Sequence, residues 1–254
     1  MLRNQAIGVR WLGASMLLAG CAAGAQTAEQ TPQQTHWDAS LALTSDYVYQ
    51  GLSQTRGRPA WQAGVRMQPA ANWTVGVWAS QIDRGFDPSA SAEIDVYATR
   101  SWRVSDAWSA TVALTHLEFP GDPRPRRYDR DELSVSIAYG SAVFATATWS
   151  PNTSEFAYEY GLATDRSAAS YEIVAVQPLS GPWSCTVGAG YRDLTALFND
   201  SYWYGHAGLM RAGRSMSLHL TYIVADDAAQ RLFGRERASG RVSASVVWRF
   251  GAAH

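Results

Sequence analysis

Polar and apolar residues alternate with a period of two along most of this chain. The last stretch, 240–250, is the clearest. Val242, Ala244, Val246, Trp248 and Phe250 share one face, and Arg241, Ser243, Ser245 and Arg249 the other, with Val247 the exception. Such alternation predicts a β-strand with one apolar and one polar face. The stretch 37–49 repeats the pattern, with Trp37, Ala39, Leu41, Leu43 and Tyr47 opposite Asp38, Ser40, Ala42, Thr44 and Asp46. Further strands are predicted at 58–68, 73–81, 93–104, 108–119, 133–139, 143–149, 169–178, 183–192, 202–212 and 215–225, which brings the total to 12. The facing of 169–178 and 202–212 is the least clear. The segment 150–168 reads as a long loop whose flanks extend a hairpin, with Phe156, Tyr158 and Tyr160 at alternate positions.

Turns and loops then separate two architectures. Short turns after residues 69, 104, 139, 179 and 212 alternate strictly with longer loops. A soluble sandwich has no reason to keep that order. A membrane barrel with short periplasmic turns and long external loops does, and an even strand number puts both termini on one side. Strands of about 9–12 residues also suit a tilted crossing of the bilayer. The expectation is an all-β fold, a transmembrane antiparallel up-and-down barrel of about 12 strands over residues 37–251. Arg100 breaks one apolar face near a strand end, where it can reach the interface.

Composition agrees with this. The chain has 11 Trp and 12 Tyr but only 17% charged residues, as aromatic girdles at two membrane interfaces require. All 21 basic residues are Arg, and the net charge of -1 gives no reason to expect nucleic acid. Residues 1–25 read as a signal peptide: Arg3 and Arg10, a short apolar run over 11–19, and Ala23-Gly24-Ala25 as the cleavage site. Leu18-Ala19-Gly20-Cys21 also fits a lipobox, which leaves lipidation at Cys21 open as an alternative. Cleavage after Ala25 is favoured because an integral barrel needs no acyl anchor. A polar lead-in, 26–36, follows. Cys185 falls on an apolar face and reads as a small hydrophobe.

The first hairpin carries a resemblance. Ser45-Asp46-Tyr47-Val48-Tyr49-Gln50-Gly51-Leu52-Ser53-Gln54-Thr55, followed by Arg58-Pro59-Ala60-Trp61-Gln62-Ala63-Gly64-Val65, resembles the opening of the TorF family of proteobacterial outer-membrane porins. Ser80-Gln81-Ile82-Asp83 and Glu93-Ile94-Asp95-Val96-Tyr97 match that family's pattern too. The likeness is close over 41–97 and then continues mainly as strand rhythm. It implies a barrel in the outer membrane of a Gram-negative bacterium, with transport through a pore as its work. It supplies no catalytic residues. The partners implied are outer-membrane lipid, barrel-assembly machinery acting through the C-terminal strand, and small solutes.

Candidate chemistry lies on the polar face, which a barrel turns to its lumen. By alternation Arg58, Arg66, Glu93, Asp95, Arg103, Glu132, Arg192, Arg241 and Arg249 line it, with Gln62 and Glu172. Facing walls of both signs can set ion preference, or can be salt-bridged with no selective role. Twelve strands lie between the filled 8-strand barrel and the open 16-strand one, so open and closed lumens both remain. On this reading Arg66→Glu or Arg103→Glu shifts cation/anion preference and Arg124→Glu does not. The five histidines show no metal-ligand spacing, and no cofactor is expected. An enzyme would need a nucleophile and base in reach of each other. Ser217-Leu218-His219 puts a hydroxyl and an imidazole on one face, but that face is the lumen, so the expectation is no enzyme. His116-Leu117-Glu118 is a weaker case. The arginine-rich loop 120–130 reads as a charged surface loop, with anion or partner recognition as the alternative.

Overall fold

In the computed structural model, which describes residues 36–85, 90–121, 128–154 and 165–251, twelve antiparallel strands close into a barrel. In chain order the strands are β1 (His36–Thr44), the two-residue β2 (Val48–Tyr49) and β3 (Leu52–Ser53), β4 (Ala60–Ala70), β5 (Trp73–Gln81), β6 (Ala92–Arg103), β7 (Trp108–Glu118), β8 (Arg130–Tyr139), β9 (Val143–Thr153), β10 (Arg166–Pro178), β11 (Trp183–Asp193), β12 (Ser201–Ala212), β13 (Met216–Ala225) and β14 (Arg241–Gly251). Barrel neighbours follow in sequence, and β14 pairs back on β1 with Leu41 opposite Trp248 and Thr44 opposite Ser245. β2 and β3 form a separate ribbon.

The two faces of the wall explain why these segments fold this way. Val65, Val77, Val96, Leu114, Ile137, Ile173 and Leu220 point outward and are exposed, whereas Gln62, Ser80, Thr111, Ser134, Ser136, Ser170 and Thr186 point inward and are buried. This inverts a soluble core. It suits a closed barrel in lipid, where every backbone group must be paired within the sheet and the apolar face meets acyl chains. Aromatics gather at both ends of the outer wall: Trp73, Trp102, Trp108, Tyr139 and Trp183 beside the short turns, Trp61, Trp149, Tyr191 and Trp203 beside the long loops. Arg100 lies outward between two of them, its guanidinium 5.3 Å from the Trp73 ring and 5.2 Å from the Trp102 ring. Cys185 also faces outward.

Two differences from the sequence pattern bear on function, and one expectation is met. The first strand stops at Thr44 rather than running to residue 49, and Tyr47, expected on the outer face, is buried inside. The loops at 194–201 and 226–239 contain helices: α1 (Thr195–Phe198), α2 (Asp227–Phe233) and α3 (Arg235–Ala238). Asp226 caps α2 by accepting from the Ala229 amide at 3.0 Å. β9 runs on to Thr153 and β10 begins at Arg166, so the flanks of the 150–168 segment do extend the wall. The leader 1–25 and the loop arginines 124, 126 and 127 lie outside the described residues.

Candidate functional site

The loop joining β1 to β4 folds into the barrel at the long-loop end. Asp46, Tyr47, Val48 and the run 50–55 are all buried. Successive side chains of this loop reach strands around the wall. Tyr47 Oη donates to Glu93 Oε1 on β6 at 3.0 Å, and Tyr49 Oη to both oxygens of Glu132 on β8 at 3.1 and 3.0 Å. Gln50 Nε2 donates to Ser170 Oγ on β10 at 2.8 Å, and the Gln50 carbonyl accepts from Tyr202 Oη on β12 at 3.0 Å. Asp46 accepts from Arg241 Nη1 on β14 at 2.8 Å, and from Ser53 Oγ and Thr55 Oγ1 within the loop. The insertion is thus tied across the lumen rather than laid on one side.

Local sequence makes the bend possible. Gly51 has φ of +83°, and a Cβ there would sit 2.6 Å from Tyr204 Cβ, so glycine is required twice over. Tyr204 in turn lies over Gly190, its partner across the β11–β12 ladder, where a Cβ would come within 2.3 Å of the ring. Two apolar clusters flank the insertion. One joins Leu52 to Leu194, Tyr202, Tyr204, Ala229 and Phe233; the other joins Tyr47 to Trp78, Ile82, Leu117, Phe119 and Tyr128. At the rim, Arg56 Nη2 meets Glu236 of α3 at 2.8 Å. That pairing holds the Glu236 carboxyl below its ordinary range and the Arg56 guanidinium above its own.

The sequence-derived lumen candidates divide by depth. Glu93, Asp95, Glu132 and Arg192 are buried around the inserted loop, Arg192 with 0% exposure. Arg130, which alternation had not singled out, donates from Nε to Glu132 Oε1 at 2.9 Å and lies 5.5 Å from the Tyr49 ring. Arg84, from the β5–β6 loop, packs on Phe119 and Tyr128, at 4.7 and 5.1 Å from their rings, and burial lowers its guanidinium to about 10. Arg241 holds the loop. Arg66 bridges to Asp38 at 2.5 Å nearer the short turns, with the half-buried Arg249 facing them. Two candidates lie elsewhere. Arg58 is at the rim, mostly exposed and bridged to Asp83 at 2.9 Å, because β4 starts only at Ala60. Arg103 ends its strand at a short turn and pairs with Asp106 at 2.7 Å in the open.

The remaining candidate chemistry is also placed. Ser217 Oγ and His219 Nε2 do meet, at 2.9 Å, and both face the lumen. His116 faces outward and meets Asp131 at 2.8 Å, while Asp131 also pairs with Asn152. Among the described residues there is no group of three or more His, Cys, Asp or Glu arranged to hold a metal ion.

The sequence profile of a bacterial family of unknown function, Gcw_chp, matches residues 28–252. The chain belongs to the Gcw_chp family. No curated protein matches it. Among solved structures it is similar to the KdgM porin, at 7% identity and a TM-score of 0.51, over 87% of this chain and 100% of that one. It is likewise similar to the COG4313 outer membrane channel from Pseudomonas putida F1, at 9% identity and a TM-score of 0.50, over 88% and 97% of the two chains. At such identities the likeness is one of fold, a closed antiparallel barrel spanning the membrane.

For this Gcw_chp barrel, what alternation missed is the inserted loop. Its only sequence signal was a polar, glycine-containing run too dense in Tyr and Gln for an ordinary external loop. The stretch that carried the TorF resemblance, 45–55, is that same run.

Proposed function

We propose that this barrel is an outer-membrane channel through which small polar or ionic solutes diffuse, with its outer mouth narrowed by the inserted β1–β4 loop. The observation that carries the reading is the inner wall: from Asp38, Arg66 and Arg249 near the short turns to Glu93, Glu132 and Arg192 near the loop, it carries charged groups of both signs, with Gln62, Ser80, Thr111, Ser134, Ser136 and Thr186 among them. A polar inner wall is what a path for hydrated solutes needs. The resemblance of 41–97 to the TorF porins supports the same reading, and the KdgM porin and the COG4313 channel are named as pores. An enzymatic reading gains little: Ser217 and His219 open to the lumen, away from the lipid that a membrane lipase must reach.

The test is single-channel recording from the refolded chain 26–254 in a planar bilayer. Discrete ohmic steps are expected, and Arg66→Glu should move the reversal potential in a salt gradient toward cation preference. A demonstrably folded barrel that gives no steps would exclude the channel.

A further inference from the structure

At the short-turn end of the lumen three adjacent strands bring three charged side chains together: Asp38 on β1, Arg66 on β4 and Arg249 on β14. Asp38 and Arg66 face each other across the β1–β4 ladder. Arg249 faces Ser40, two residues on from Asp38, across the β1–β14 ladder. Arg66 Nε donates to Asp38 Oδ2, which leaves both Nη groups of Arg66 without a partner among the described residues. The Arg249 guanidinium has no hydrogen-bond or ion-pair partner among them. The place is open to water. Asp38 keeps 36% of its side-chain exposure and Arg66 21%, although both point inward, and Arg249 is partly exposed. Asp38 stands opposite Gly251, the last residue of β14, so these groups line the inner mouth of the barrel and are not sealed within the wall.

The charge balance at this mouth is positive. The charged groups acting on Arg249 are Asp38 and Arg66, and Arg249 in turn acts on His219 of β13. One carboxylate thus stands beside two guanidinium groups. Arg103 lies at a short turn too, but Asp106 cancels it. The other inward carboxylates among the described residues are Asp46, Glu93, Asp95, Glu132 and Glu172, at mid-wall or around the inserted loop. Arg84, Arg130, Arg192, Arg237 and Arg241 lie there with them, as many of one sign as of the other. Burial that keeps one of those acids neutral only adds to the positive side. A guanidinium that faces a lumen with no acceptor of its own presents a planar fork of N–H donors, the shape that takes two oxygens of one anion. Ser40 adds a hydroxyl directly across the ladder.

We infer that Arg249, with the Nη edge of Arg66 and the Ser40 hydroxyl, forms a binding subsite for a small oxyanion, a carboxylate or a phosphate, at the inner mouth of the barrel. The inference rests on the channel reading for the traffic that brings such an anion there, but the site can be tested apart from it.

The probes are sodium acetate and inorganic phosphate. Each is titrated at constant ionic strength into the folded chain 26–254, isotopically labelled in its arginines, in detergent micelles. The Nε–H resonances of Arg249 and Arg66 should shift and saturate with at least one probe, and the probe that binds more tightly names the anion class. The resonances of Arg58 and Arg103, each already paired with a carboxylate, should not saturate. Arg249→Gln should weaken binding about tenfold, the loss of one charge-assisted pair. Arg249→Lys keeps the charge but loses the fork, and should fall between the two. Folding of each variant is checked by its heat-modifiable gel mobility, and the native titration decides even if a variant does not fold. Small, unsaturating shifts shared by all exposed arginines would mean an adventitious ion atmosphere only and would overturn the subsite, while discrete current steps from the same barrel would leave the channel standing. Saturable, Arg249-dependent binding in a barrel that passes no current would confirm the subsite and remove the channel.

Discussion

Gly51 is the residue on which the inserted loop turns. Its left-handed backbone and its contact with Tyr204 both exclude a side chain, so Gly51→Ala should cost about 1–3 kcal/mol. The check is the guanidinium midpoint of the folded barrel in vesicles, and an unchanged midpoint would show that the loop is held in some other way. The Arg56–Glu236 pair at the rim makes a prediction in pH. The hydrogen bond from Arg56 lowers the folded Glu236 carboxyl below its unfolded value. Its contribution is therefore complete above the ordinary glutamate value, about 4.3, and is lost as pH falls through the lower folded one. The Gly57 amide, next to Arg56, should keep its NMR shift from about pH 8 to 5 and move only below about 4. Movement near neutrality would implicate another group.

Each strand is a two-sided element, and the cost of a charge on it depends on side and depth. Leu114 is outward at mid-strand on β7, so Leu114→Arg should destabilise by about 2–4 kcal/mol, while Tyr139→Arg at the end of β8 should cost about 0–1. Equal losses in denaturant titrations would mean that the membrane does not lie across the middle of these strands. The same two-sidedness made the wall legible in the sequence. Val242 to Phe250, Ala63 to Met67 and Ile94 to Ala98 show their faces by alternation alone, and the closure of β14 on β1 followed from an even count. Tyr47 was misplaced because the alternation of 37–49 runs on past Thr44, where the wall strand ends, and Arg58 because that of 58–68 begins two residues before the wall strand does. No local pattern tells a strand from a loop whose partners are Glu93, Glu132 and Ser170, far along the chain. Arg130, read as part of the charged surface loop 120–130, instead opens β8 and is buried; its position at the end of an arginine-rich run gives no sign of the Tyr49 ring that it packs against.

At the scale of the whole molecule, the inserted loop acts as a cross-brace with contacts on β6, β8, β10, β12 and β14. Arg241 is its anchor on the closing strand. Arg241→Ala should release that side and raise single-channel conductance above the native value, and a smaller or unchanged step size would argue that Arg241 holds nothing in place. The bond from Arg241 to Asp46 spans 195 residues, and it joins the loop after the first barrel strand to the start of the last. During biogenesis the early loop therefore waits on the final segment of the chain. An insertion intermediate that lacks β14 has an unsealed seam and an unanchored loop together, so sealing of the cylinder and locking of its mouth are one event in time.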